Sequence, residues 1–293
     1  MATKLNVHQQ VTDTILKQLE AGTPPWRRPW IGGGGQGAQP LRHNGEAYRG
    51  INTILLWAEA LDKGFVSERW MTFRQAKELG GNVRKGEKSS TSIKYGTFGR
   101  ETEEGKEARI PYLRAYRVFN ADQIDTLPPE YYTPPEPVQD LGTKSDPALE
   151  MFFANTGAKI VSTTEPRAYY RPSTDTVHMP PITSFYEARR YFGVLSHEVC
   201  HWSGASHRLD RLSKFGNRAS YAFEELVAEI GACFLSVQLG LEPDFEQSAA
   251  YLQSWITALK SDNKAIFKAA TEAQKAVDYI MEQSAQGQTQ KAA

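Results

Sequence analysis

The sequence predicts an α+β chain in two domains: an α+β unit over residues 1–126, a Pro-rich linker over 127–145, and a mainly helical unit with a small sheet over 146–293. Three observations carry this. Prolines at 128, 129, 134, 135 and 137, with few apolar anchors among them, mark a linker. The charge changes sign there, with nineteen Lys/Arg against fourteen Asp/Glu in residues 1–128 and fifteen against twenty afterwards, although the whole chain is neutral. Finally, helical patterns dominate the second half, whereas alternating strand patterns lie in the first.

In chain order, Val7 to Ala21 places Val11, Ile15 and Leu19 on one face of an amphipathic helix stopped by Gly22 and Pro24. Trp26-Arg27-Arg28-Pro29-Trp30 follows on a Pro-stiffened loop. Two indoles bracketing two arginines suit stacking on unpaired bases while neutralising phosphates, although both indoles can equally plug a core. Ile51, Ile54, Leu55 and Ala58 form the inner face of the next helix, and Arg69 to Ala76 opens another, capped by Thr72.

Residues 80–89, Gly-Gly-Asn-Val-Arg-Lys-Gly-Glu-Lys-Ser, approach a P-loop, but Glu87 stands where the lysine must be, and no helix follows to cap phosphates. Nucleotide hydrolysis is therefore excluded. A basic Gly-rich hairpin carrying Arg84, Lys85 and Lys88 fits contact with a nucleic-acid backbone. Thr91 to Gly96 and Tyr112 to Phe119 are predicted strands around a charged turn, Arg100 to Arg109. The faces of the second strand mix aromatic and basic groups.

Beyond the linker come a short helix (Pro147 to Thr156), a strand (Lys159 to Thr163) and a hairpin of Ala168 to Tyr170 with Thr176 to Met179. Next is a helix for which Ser184 and Glu187 offer a capping box, and in which Phe185, Ala188, Phe192, Leu195, Val199 and Trp202 recur at steps of three and four. His197 and His201 share its other face one turn apart, so both imidazoles can address one divalent cation. Glu198 sits about 100° round the helix, placed to take a proton from water rather than to ligate. This is the H-E-x-x-H arrangement of zinc hydrolases, and the order of helix, small sheet and metal helix is that of a zincin, whose edge strand can pair with an extended peptide. Zinc is the expected ion, with manganese as the alternative.

Two third ligands compete. His207 completes a metzincin spacing with Gly204 as the turn, but no methionine turn follows. Alternatively Glu225 and Glu229, at i and i+4 on the next helix, Tyr221 to Leu239, offer one ligand and one carboxylate to orient a histidine. Two more helices lie within residues 245–283, and Ser284 to Ala293 reads as a frayed polar tail. The only cysteines, Cys200 and Cys233, fall in apolar helical patterns, as free buried thiols of a reducing compartment do. With no secretory h-region and no membrane-spanning apolar run, a cytoplasmic protein without a membrane partner is expected.

Together these motifs resemble the ArdC-type antirestriction proteins of conjugative plasmids and the N-terminal part of TraC-type primases. The carriers are Pro25-Trp26-x-x-Pro29-Trp30, Tyr48-Arg49-Gly50-Ile51-Asn52, Trp70-Met71-Thr72-Phe73-Arg74-Gln75-Ala76 and Gly80-Gly81-x-Val83-Arg84-Lys85-Gly86-Glu87 in the first half. In the second half they are His197-Glu198-x-x-His201-Trp202-Ser203-Gly204, Arg208-Leu209 and Glu224-Glu225-Leu226-Val227-Ala228-Glu229. The resemblance implies an N-terminal domain that binds single-stranded DNA without sequence preference, with Tyr48, Arg49, Trp70 and Arg74 among its contacts. It further implies a zincin-like metallopeptidase domain, protection of incoming plasmid DNA, and glutamate rather than His207 as third ligand. The functions in competition are a DNA-binding antirestriction protein, a DNA-localised peptidase acting on a protein substrate, and a binding protein with a structural metal. Glu198 argues against the last, since a structural site has no use for a base.

Overall fold

The computed structural model describes residues 6–26, 39–101, 107–132, 144–214, 218–241 and 251–292. Helix α1 (Val7–Glu20) is capped by the Asn6 side chain, which accepts from the Gln9 amide, and it buries Val11, Ile15, Leu16 and Leu19. Strand β1 (Leu41–Arg42) precedes α2 (Ile51–Lys63), which ends on Gly64 in the left-handed conformation. Arg69–Met71 is strand β2 rather than the start of a helix, because it pairs with both β1 and a later strand; the helix α3 (Phe73–Glu78) begins after it. Thr72 caps α3 as expected, in a reciprocal box with Gln75. After β3 (Asn82–Val83), strands β4 (Ser90–Glu101) and β5 (Glu107–Asn120) form one long antiparallel hairpin, and β6 (Ile124–Asp125) pairs with β3. The main sheet runs β1-β2-β5-β4.

Strand β4 is an edge, and the side chain of Asn52 closes it: Nδ2 donates to the Ile93 carbonyl at 2.8 Å, and Oδ1 accepts from the Ile93 amide at 2.7 Å. A side-chain amide here imitates a neighbouring strand and blocks edge pairing.

The second half contains α4 (Pro147–Asn155), β7 (Lys159–Ser162), β8 (Tyr169–Arg171), β9 (Thr176–Met179), α5 (Ala188–Ser203), α6 (Arg218–Leu239), α7 (Leu252–Ser261) and α8 (Ala265–Ala292). The small sheet is ordered β7-β9-β8, which leaves β8 as an edge. Two expectations are corrected. The Ser184–Glu187 capping box does not form: Ile182–Ser184 is a 3-10 turn, and α5 starts at Ala188 without a side-chain cap. Nor is the C-terminal stretch a frayed tail. It continues α8, because Ser284 is buried and donates to the Phe152 carbonyl, while Gly287 lies so close to α4 that a Cβ there would meet the Asn155 carbonyl oxygen at 2.2 Å.

The two halves share one hydrophobic core. Ile15, Leu19, Trp26, Ile54 and Trp57 lie in the same buried cluster as Phe234, Trp255, Leu259 and Val277. Polar contacts reinforce it: Thr12 Oγ1 donates to the Asn263 carbonyl, the Gly50 amide donates to Gln274 Oε1, and Arg49 pairs with Asp278. The start of the Pro-rich stretch is packed as well, with Leu127 buried and the Tyr132 hydroxyl donating to the Ile124 carbonyl; residues 133–143 lie outside the described residues. Among the described residues, no helix is long and apolar enough to cross a membrane.

Candidate metal centre

Helix α5 buries Ala188, Phe192, Leu195, Val199 and Trp202, and this stripe turns the two histidines toward α6. Their Nε2 atoms approach to 3.1 Å. Glu225 on α6 meets them, with Oε2 3.6 Å from His197 Nε2 and Oε1 3.6 Å from His201 Nε2. A tetrahedral ion about 2.0–2.1 Å from each donor separates donors by roughly 3.3 Å, so the two imidazoles and one carboxylate fit a divalent metal in both identity and spacing. Of the other candidates, Glu229 lies one turn along α6 and lines the adjoining cleft. His207 points elsewhere: it is exposed and pairs with Asp175 at 3.4 Å.

The residue that orients a histidine was missed by sequence reasoning. Glu224, fully buried, places Oε1 3.2 Å from His201 Nδ1. A carboxylate there accepts the Nδ1 proton and leaves the Nε2 lone pair for a metal. Arg211, also buried, neutralises it with two bonds, Nη2 to Oε1 at 3.0 Å and Nε to Oε2 at 3.1 Å, and Nη2 further donates to the Cys200 carbonyl. Burial alone would raise the Glu224 pKa, but His201 and Arg211 bring it below the ordinary carboxylate value. Gly204 is explained here too: a Cβ would come within 2.9 Å of Arg211 Nη2, so this glycine admits the guanidinium rather than turning the chain toward His207. Only the glycine after the histidine motif hinted at this close approach.

The remaining electrostatics favour cation capture. Burial disfavours a charged His197, yet the hydrogen bond it donates to Glu225 and the charges of Glu198, Glu225 and Glu229 outweigh it and raise the imidazole to about 9. Glu225, also opposed by burial, is drawn down to about 2 by His197 and His201. Glu198 is buried on the wall of a cleft of about 380 Å³ that reaches Phe185, Val194 and Tyr251.

The expected nucleic-acid contacts fare differently. Trp26 has no exposed surface and packs edge-on against Trp255, with ring centroids 6.0 Å apart. Tyr48 and Trp70 are buried in a second small cluster with Leu56 and Val118. None of these three can stack on a base, because each ring has a core partner from a distant part of the chain. Arg49 is engaged with Asp278, Arg74 with Glu78, and Arg84 with Glu87 and Asp125, while Lys85 and Lys88 are exposed. Arg27, Arg28 and Trp30 lie outside the described residues.

Comparison with known proteins follows this division. Residues 5–119 match the family described as the N-terminal domain of anti-restriction factor ArdC, and residues 147–272 match a zincin-like metallopeptidase family. The metal-free crystal structure of the antirestriction ArdC protein from the R388 plasmid is 57% identical, with a TM-score of 0.88, over 96% of this chain and 99% of that one. The chain belongs to the ArdC family of antirestriction proteins. A Mn(II)-bound structure of the R388 protein is similar at a TM-score of 0.85 and 56% identity, with the same shares of the two chains covered, in keeping with a divalent metal in this fold. The uncharacterized protein y4eC of Sinorhizobium fredii is 37% identical across 98% of this chain and 95% of its own length. A DNA primase TraC of Escherichia coli is 39% identical over 94% of this chain, which spans only 27% of that protein.

Proposed function

We propose that this chain is a cytoplasmic antirestriction protein that binds single-stranded DNA without sequence preference, protects incoming conjugative plasmid DNA from host restriction, and carries a hydrolytic H-E-x-x-H centre. The observation that carries the first part is its likeness to the R388 ArdC protein across nearly the full length of both chains. Cys200 and Cys233, both buried and neither in a disulfide, suit a reducing compartment.

For the centre, we take His197, His201 and Glu225 as the ligands and zinc as the ion, since a His₂Glu donor set with an open position suits it; manganese is the alternative. A divalent ion supplies Lewis acidity, lowering the pKa of water and polarising a peptide carbonyl. Glu198 then accepts a proton on its carboxylate and returns it to the departing amine nitrogen, while Glu224 and Arg211 hold His201 in the required tautomer. The open cleft beside Glu198 favours a second reading, in which a DNA-localised peptidase cleaves a protein substrate and DNA serves only for targeting.

Plasmid transfer into a restricting recipient separates the readings. With Glu198→Ala, the first predicts retained metal and retained protection, whereas loss of both cleavage and protection establishes the second. Loss of single-strand binding in the wild-type protein at low salt would overturn the first.

A further inference from the structure

With Trp26, Tyr48 and Trp70 in the core, any surface for unpaired bases must lie elsewhere, and the β4–β5 hairpin offers one. Its two faces are chemically distinct. On one, Ile93 is buried in the shared core, Leu113 packs against it, and Tyr95 meets Phe267 edge-on. The other carries Tyr112, Arg114 and Tyr116 on β5, whose register partners on β4 are Gly96, Lys94 and Ser92.

Three details of that second face point to a ligand. Lys94 and Arg114 are both exposed and stand directly opposite each other, an arrangement in which like charges repel. Among the described residues no carboxylate pairs with either. The acidic pair Glu101 and Glu107 lies seven register positions further along, about 24 Å away. Tyr112 lies across the backbone of Gly96, where a Cβ would come within 2.4 Å of its ring, so the absent side chain allows the aromatic to lie against the strand. Arg114 sits 5.3 Å from the centre of the Tyr116 ring. The result is an alternation of ring, paired cations and ring along about 14 Å of strand, on an edge that Asn52 holds rigid.

We propose that this hairpin face, with Tyr112 and Tyr116 flanking Lys94 and Arg114, is the platform on which single-stranded DNA lies, its bases against the tyrosines and its phosphates against the cations. The inference rests on the single-strand binding proposed above and assigns it to a surface. Stacking needs unpaired bases, which gives the preference over duplex, and it is tolerant of sequence because every base has a π-face.

The test is fluorescence anisotropy of labelled oligothymidylate on the full chain across a range of NaCl concentrations. Replacing both cations (Lys94→Gln with Arg114→Gln) should flatten the slope of log affinity against log salt by about 1.4, since each phosphate contact on a single strand contributes about 0.7. These substitutions are on exposed side chains and leave the fold intact, whereas Lys159→Gln, on β7, should leave the slope unchanged. Tyr112→Ala with Tyr116→Ala should weaken binding at least fivefold and narrow the preference over duplex. If the wild-type chain binds and the cation pair changes nothing, or Lys159→Gln changes as much, the hairpin assignment is wrong while single-strand binding stands. If the wild-type chain does not bind, both fall.

Discussion

His201 and Glu224 stand 3.2 Å apart, imidazole Nδ1 to carboxylate Oε1, in a buried contact that fixes which ring nitrogen faces the ligand cluster. Glu224→Gln should weaken divalent-metal binding by about 10- to 100-fold, since partners of this kind commonly set ligand tautomer and basicity. It should also leave Arg211 without its counter-charge, costing about 3–5 kcal/mol. Competition against a chromophoric chelator and denaturant unfolding read these separately. Unchanged metal affinity would remove the orienting role.

Glu225→Ala should abolish tight metal binding, whereas Glu229→Ala and His207→Ala should each keep it. The basis is distance: among the described residues, only Glu225 joins the two Nε2 atoms in one cluster. Metal content after gel filtration decides, and retention by Glu225→Ala would hand the third position to another residue.

Metal binding and stability should respond oppositely to pH. The folded pKa of His197, raised from 6.5 to about 9, means that the metal-free protein draws stability from the protonated ring below pH 6.5 and loses it as pH rises through about 9. Binding a cation must displace that proton, so affinity should climb by up to tenfold per pH unit over this window. Thermal melts with chelator and with added zinc, compared from pH 6 to 9, should therefore diverge. Parallel curves would show that the ring is already neutral at pH 6.

Trp26→Ala should destabilise the protein by about 3–5 kcal/mol, as expected for removing an indole from a filled core. Its loss of DNA affinity at temperatures where it remains folded should be small. A large loss with unaltered unfolding would return the indole to the surface.

The legible parts of this chain are those whose signals are local. His197, Glu198 and His201 declare themselves because one helical turn separates the ligands, and Thr72 because a cap needs only Gln75 three residues on. Glu225 could be narrowed only to a pair, since periodicity gives the face of α6 but not which turn meets α5. Glu224 and Arg211 were hidden because their partnership exists only when two helices and a loop come together. The aromatic motifs misled for the same reason. An indole beside arginines and glycines looks solvent-facing until Trp255, 229 residues later, closes over it. Ser284 and Gly287 look like tail residues because small polar side chains betray nothing of the close helix contact they permit.

Because α1 and α2 fill the interior that the later helices leave open, severing the chain within residues 133–143 would yield two fragments, each with a raw oily flank. The part of TraC that matches this chain spans both halves. A larger protein that carries this unit is therefore expected to inherit it whole, so that its first half and its zincin-like half travel through evolution as a single indivisible cassette.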